Sequence, residues 1–123
     1  MASETVRAIR GATTVVADTP EQIAERTIEL LAAIVEANEL VHDQVISILF
    51  TVTEDISSAF PATAARLGGF DDAALMCARE IPVPGSLAHC IRLMMHVSTE
   101  RERSQIENVY LHGAQGLRDD TKR

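Results

Sequence analysis

A chain of 123 residues with 46% hydrophobic and 24% charged residues has room for one domain with a real core, residues 1–123, and not for two. A formal net charge of −7 argues against nucleic acid as a partner, because phosphate binding needs a basic surface. No apolar run approaches the roughly 18 residues of a membrane span, and the opening MASETVRAIRG lacks the apolar centre of a signal peptide, so the expected compartment is the cytoplasm.

The first predicted element is a strand. The stretch TVRAIRGATTVV at 5–16 alternates apolar and polar residues and is rich in β-branched side chains. Val6, Ala8 and Arg10 share one face, with Arg7 and Ile9 opposite. Gly11 marks a bulge or a close backbone approach. A long helix follows: Thr19 caps it, Pro20 fits its first position, and Gln22 completes a capping box. Ile23, Thr27, Leu30, Leu31 and Ile34 recur at three- and four-residue steps as one apolar stripe, and Asn38 ends the helix. Glu21, Glu25, Arg26, Glu29 and Glu36 form its solvated side.

The run VISILFTV at 45–52 predicts a strand buried on both faces. Thr53-Glu54-Asp55 is a second helix-start signal, leading to a short turn that ends at Phe60-Pro61. From Pro61 a short helix carries Ala62, Ala64, Ala65 and Leu67 and stops at Gly68-Gly69. Arg66, near its end, suits the helix dipole as well as it suits a ligand. Residues 73–80, AALMCARE, predict a strand with Glu80 at its end, and PVPGS at 82–86 a rigid loop. The stretch HCIRLMMHV at 89–97 predicts a buried strand, with Cys90, Arg92, Met94 and His96 on one face and Ile91, Leu93, Met95 and Val97 on the other. A polar turn at 98–105 leads to a last predicted strand, ENVYLHGA at 107–114, and 115–123 is expected to be a flexible C-terminal tail.

This order gives an α/β or α+β domain with one mixed β-sheet, covered on one face by the long helix. The strands are apolar on both faces, so the second face needs a cover, and another subunit is the expected one.

Arg92 is the informative residue. Its charge cannot be lost, and an unpaired buried charge is among the least tolerated features of a fold. Its partner is either an internal Glu or Asp or an anionic substrate. Of 11 basic residues, 10 are arginine, the cation suited to planar capture of carboxylates, although a biased nucleotide composition produces the same trend. There is no phosphate-binding glycine loop and no G-x-S-x-G. His42, His89, His96 and His112 lack metal spacing, and no metal or cofactor is expected. Cys77 and Cys90 read as reduced, buried thiols. What remains is Arg10, Arg66, Arg92 and Arg118, with Glu80, Tyr110 and Phe60. Several cations, one acid and one phenol suit a small polycarboxylate better than proton or acyl transfer.

At these residues the chain resembles a known family. RGATTV at 10–15, FPATAAR at 60–66, CARE at 77–80, GSLAHCIR at 85–92 and VYLHGAQGLR at 109–118 together resemble the AroH-class chorismate mutases, in order and in register over nearly the whole length. The resemblance implies isomerisation of chorismate to prephenate, in the supply of phenylalanine and tyrosine, by a [3,3] rearrangement without cofactor. It implies a homotrimer, a pseudo-α/β-barrel with each active site built by two chains. By the family's pattern, Arg92 faces the ether oxygen of the breaking bond, Arg10 and Tyr110 hold a carboxylate, and Glu80 with Cys77 contacts the ring hydroxyl. Phe60 and Leu117 pack on the substrate, and Arg66 and Arg118 stand at the entrance. Two positions depart from that pattern: Asp119 follows Arg118 where proline is usual, and a lysine common after Phe60-Pro61 is absent, with Thr63 nearby. A different class is also open, a RidA-like trimeric imine deaminase or small-molecule-binding protein, which shares interface-sited architecture.

Overall fold

The computed structural model describes residues 3–122, with the side chains of 118–122 outside that description. Five strands form one mixed sheet in the order β3-β2-β4-β1-β5. They are β1 (Thr5–Thr14), β2 (Val45–Val52), β3 (Ala74–Arg79), β4 (Cys90–Thr99) and β5 (Val109–Tyr110). β4 runs antiparallel to both β1 and β2, while β3 is parallel to β2 and β5 to β1. Two helices, α1 (Pro20–Ala37) and α2 (Pro61–Ala65), pack together on one face.

The long helix forms as its sequence dictates. Thr19 is extended, and its hydroxyl accepts from the Gln22 amide at 3.1 Å. The other half of the expected capping box is missing, because the Gln22 side chain accepts instead from Val16 N at 2.9 Å. Ile23, Thr27, Leu30, Leu31 and Ile34 are the buried stripe. Each large aliphatic side chain buried there contributes about 1.5–3 kcal/mol. The stripe meets Ile9, Ile48, Phe50, Ile91, Leu93, Met95 and Val97 from the sheet. Gly11 lets the layers close up: a Cβ there would stand 2.8 Å from Ile34 Cδ1 and 3.3 Å from the Val109 carbonyl.

Both strands expected to be fully buried are covered on one face only. In β4, Ile91, Leu93, Met95 and Val97 are buried and Arg92 and Met94 are exposed; in β2, Ile48 and Phe50 are buried and Leu49 is exposed. The period-two alternation holds, but the helices reach only one side. Val6, Leu49, Met76 and Met94 consequently stand exposed on the open face. A small second cluster covers one end of that face, where Ala114 and Leu117 pack on Ala12, Cys90 and Tyr110.

Two other expectations are corrected. Thr53-Glu54-Asp55 starts no helix. The Thr53 hydroxyl donates to Asp55 and accepts from Cys90 N, while Asp55 also accepts from His89 N, so these capping groups serve the entry to β4. The last strand, expected over 107–114, is only Val109–Tyr110. Side chains take the neighbouring backbone groups. Asn38 Nδ2 donates to Glu107 O at 2.9 Å, its Oδ1 accepts from Glu107 N at 2.8 Å, and Asn108 Oδ1 accepts from Arg10 N at 2.9 Å. Beyond Tyr110, His112 adopts φ 51°, and the backbone of His112–Lys122 winds as a 3-10 segment. Among the described residues no helix is long and apolar enough to cross a membrane.

Asn38 is 1% exposed and its side chain makes three hydrogen bonds, two to Glu107 and one from Nδ2 to Ile34 O. Replacing it by alanine strands the Glu107 amide, so Asn38→Ala is expected to lower unfolding free energy by about 2–3 kcal/mol. Urea unfolding checks this, and a loss under half a kcal/mol would show that the clasp is dispensable.

Candidate active site

The sheet register assembles the site. Thr51 on β2 lies opposite Arg92 on β4, Arg92 opposite Ala12 on β1, and Ala12 opposite Tyr110 on β5. One row across four strands thus carries a hydroxyl, a guanidinium, a small floor residue and a phenol. Glu80 follows β3, and its amide donates to Val52 O at 2.8 Å, which fixes the residue beside the row. The Thr51 hydroxyl donates to Glu80 Oε2, and the same oxygen lies 3.6 Å from Arg92 Nε.

Arg10, Gly11, Ala12, Arg92, Leu93, Tyr110 and Leu117 line a cleft of about 80 Å³ at this end of the sheet. Arg10 reaches it because β1 alternates: two residues before Ala12, it shares the open face. Tyr110 is 7% exposed, held between Ala12 and the 3-10 segment. Leu117 forms part of the roof.

The arrangement positions charge without supplying a nucleophile. Cys90 lies against the cleft floor, and burial pushes its thiol up to about 11, against the pull of the Arg92 guanidinium. It stays protonated at neutral pH. Among the described residues no cluster of three histidine, cysteine or acidic groups has metal-binding geometry.

The remaining expected residues lie elsewhere. Phe60 and Cys77 line a second cleft of about 460 Å³ with Val52, Ile56 and Arg79, and it shares no residue with the first. Cys77 pairs with Phe50 and packs on the helix-covered core, so it does not join Glu80 within one chain. Phe60 is 69% exposed. Arg66 is the exposed C-cap of α2. Arg118 lies outside the described side chains.

Three supporting residues escaped the sequence reading. Thr51 orients Glu80, but its neighbour depends on the β2–β3 register, which the sequence does not display. Arg79 Nη1 donates to Thr53 O and Ile56 O, bracing the β2–α2 loop. Asp18 accepts from the backbone amides and hydroxyls of Ser57 and Ser58 at 2.8–3.3 Å, anchoring the segment that carries Phe60.

A site built this way grips and polarises a small anion, and leaves bond-making to the bound molecule. A family model for chorismate mutase type I matches residues 6–121, and the chain belongs to that family. It is 47% identical over 116 residues to chorismate mutase AroH of Thermus thermophilus, covering 94% of this chain and 95% of that one. The corresponding protein of Bacillus subtilis is 42% identical over 116 residues, covering 94% and 91%. A solved chorismate mutase from Clostridium thermocellum superposes with a TM-score of 0.89 at 53% identity, covering 90% of this chain and 99% of that one. The imine-deaminase alternative finds no support among these relatives.

Asp18 gives a pH-dependent prediction. The hydrogen bond from the Ser58 hydroxyl, with those from the other serine groups, holds its pKa below the usual carboxylate value. A depressed folded-state pKa contributes stability that is present above the unfolded value and lost as pH falls through the folded one. Asp18→Asn is therefore expected to lower the melting temperature at pH 7, with the gap closing below about pH 3.9. Melting curves across pH test it, and a gap independent of pH would count against it.

Proposed function

We propose that the chain isomerises chorismate to prephenate in the cleft between Arg10, Arg92 and Tyr110. The carrying observation is the convergence of these three groups on one cleft, with Glu80 pinned beside Arg92. The substrate is a flexible dianion whose side chain must fold over its ring. Arg10 and Tyr110 hold one carboxylate, and Arg92 helps with the other. Clamping both ends selects the reactive conformer. As the C–O bond breaks, negative charge grows on the ether oxygen. The Arg92 guanidinium, mounted on a central strand, faces that oxygen and stabilises the transition state more than the ground state. Glu80 steadies the guanidinium from the far side and accepts from the ring hydroxyl.

The magnitudes are adequate. An acceleration of roughly 10⁶ needs about 8 kcal/mol, the low end for enzymes. A preorganised charge supplies about 3–4 kcal/mol, the worth of an oxyanion-hole donor, and conformer selection supplies the rest. The acidic surface does not oppose this, because positive potential is needed only inside the cleft.

The working unit in this reading is a homotrimer with sites at subunit boundaries. A cleft of about 80 Å³ is too small for a whole ligand, since ligand sites commonly run to roughly 300–1,000 Å³. The exposed apolar residues Val6, Leu49, Met76 and Met94 on the open face need a cover. A neighbouring chain meets both needs, bringing its Phe60, Cys77 and Arg66 to the substrate, with Arg118 at the entrance. Nucleic acid and membrane have no part in this reading, and a cytoplasmic setting suits the two free thiols.

Purified protein is expected to consume chorismate absorbance without added metal or cofactor. Arg92→Lys should lower kcat by roughly 10²–10³-fold while light scattering still gives the mass of three chains. Full activity in that variant would sink the mechanism, and a monomeric wild-type protein would sink the shared site.

A further inference from the structure

The cleft's roof is fixed from the other side of the sheet. Leu111 packs on the helix-covered core, whereas Ala114 and Leu117 pack on the open-face cluster with Ala12, Cys90 and Tyr110. The chain therefore crosses from one face to the other at His112-Gly113, round the edge formed by β5. Three features hold the crossing. His112 sits at φ 51°, a left-handed conformation uncommon outside glycine, and this turns the chain. Gly113 presses on β1: its amide donates to Thr14 Oγ1 at 3.0 Å, and a Cβ there would stand 2.8 Å from that oxygen. Finally, His112 Nε2 lies 2.7 Å from Glu29 Oε1 on α1. With Glu29 as a carboxylate, which only accepts, the imidazole Nε2–H is the donor in this bond.

We infer that Glu29 and His112 form a strap that positions the Leu117-bearing roof of the cleft, making both residues positioning groups for substrate binding. Glu29 belongs to the helix on the covered face, while Leu117 closes the open one, so the strap acts through the crossing and not by touching the substrate. It links the roof to α1, whose apolar stripe is buried against the sheet. Sequence spacing gives no hint of it, since Glu29 reads as one more solvated acid and His112 as a lone histidine 83 positions away.

The inference rests on the reading of this cleft as the substrate site, and the test separates the two. His112→Asn keeps a residue that tolerates left-handed backbone but is too short to reach Glu29. Glu29→Ala removes the partner from an exposed helix position. Each single variant is expected to raise the KM for chorismate roughly three- to five-fold, the scale of a half-exposed charged contact, with kcat within about two-fold of wild type. The double variant should be no worse than either single one, as expected for one shared contact. Amide hydrogen exchange, read in the same proteins without substrate, should quicken at residues 113–117 and stay unchanged in β1 and β4. Unchanged exchange and unchanged KM in both single variants would overturn the strap, as would an equal fall in kcat and melting temperature, which marks a general role in folding. If wild-type protein left chorismate untouched while exchange at 113–117 still quickened, the substrate reading would fall and the strap would stand.

Discussion

Arg92 and Glu80 meet across an intervening strand, and the register of β2 against its two neighbours is what allows it. The guanidinium leaves β4 on the open face, the carboxylate comes from the residue after β3, and Thr51 stands between them and holds the acid. At 3.6 Å and with the Arg92 side chain 44% exposed, this pair contributes little to stability, under about 1 kcal/mol. Its importance is directional. A charge mounted on the central strand of a five-stranded sheet cannot drift, and a carboxylate on one flank leaves the rest of the guanidinium turned toward the cleft. The other parts of the site are placed by the same row of residues.

The division of labour between the two sheet faces follows from the sequence of β4. Ile91, Leu93, Met95 and Val97 have only apolar chemistry and go to the helices. Of the alternate positions, Arg92 and Met94 are left open and His96 half-open, while Cys90 lies under the second cluster. Apolar residues of the open face then occupy a surface that one chain does not cover, which is the same surface that carries the cleft. Packing and chemistry are thus assigned to opposite sides of one layer. At Gly11, where no Cβ intrudes, α1 closes on the covered side of β1 while β5 pairs along its edge.

Much of this was legible in the residues. The α1 stripe, the bounds of β2 and the parity of β1 and β4 follow from local periodicity, which the folded chain respects. Of the four arginines singled out, Arg10 and Arg92 line one cleft because both sit on the same face of antiparallel neighbours, whereas Arg66 lies elsewhere. Illegible features involve side chains that serve distant backbone. Asn38 looked like a helix stop, and it is also the clasp that shortens β5. Thr53 and Asp55 looked like a helix cap, and they cap the entry to β4 instead. Phe60 and Cys77 line a cleft of their own, apart from Arg92, because Cys77 sits on the helix-covered side of β3, a placement that no local periodicity in 73–80 displays.

The pairing of β1 with β5 also bears on how the cleft comes into being. Arg10 N bonds to Asn108 and Gly113 N to Thr14, contacts 98 and 99 positions apart along the chain. Joining such distant segments carries a loop-closure entropy that local contacts do not face, and folds rich in them form slowly. The β2–β3 pair and the α1–α2 layer can assemble from nearer neighbours. Bringing the two guanidiniums and the phenol together therefore carries the larger share of that entropy cost. During synthesis, a chain that has emerged only as far as β4 already presents Arg92 but has no Tyr110 beside it. The cleft is complete only with the last strand, and anything gripped between Arg10 and Tyr110 ties the two ends of the chain together.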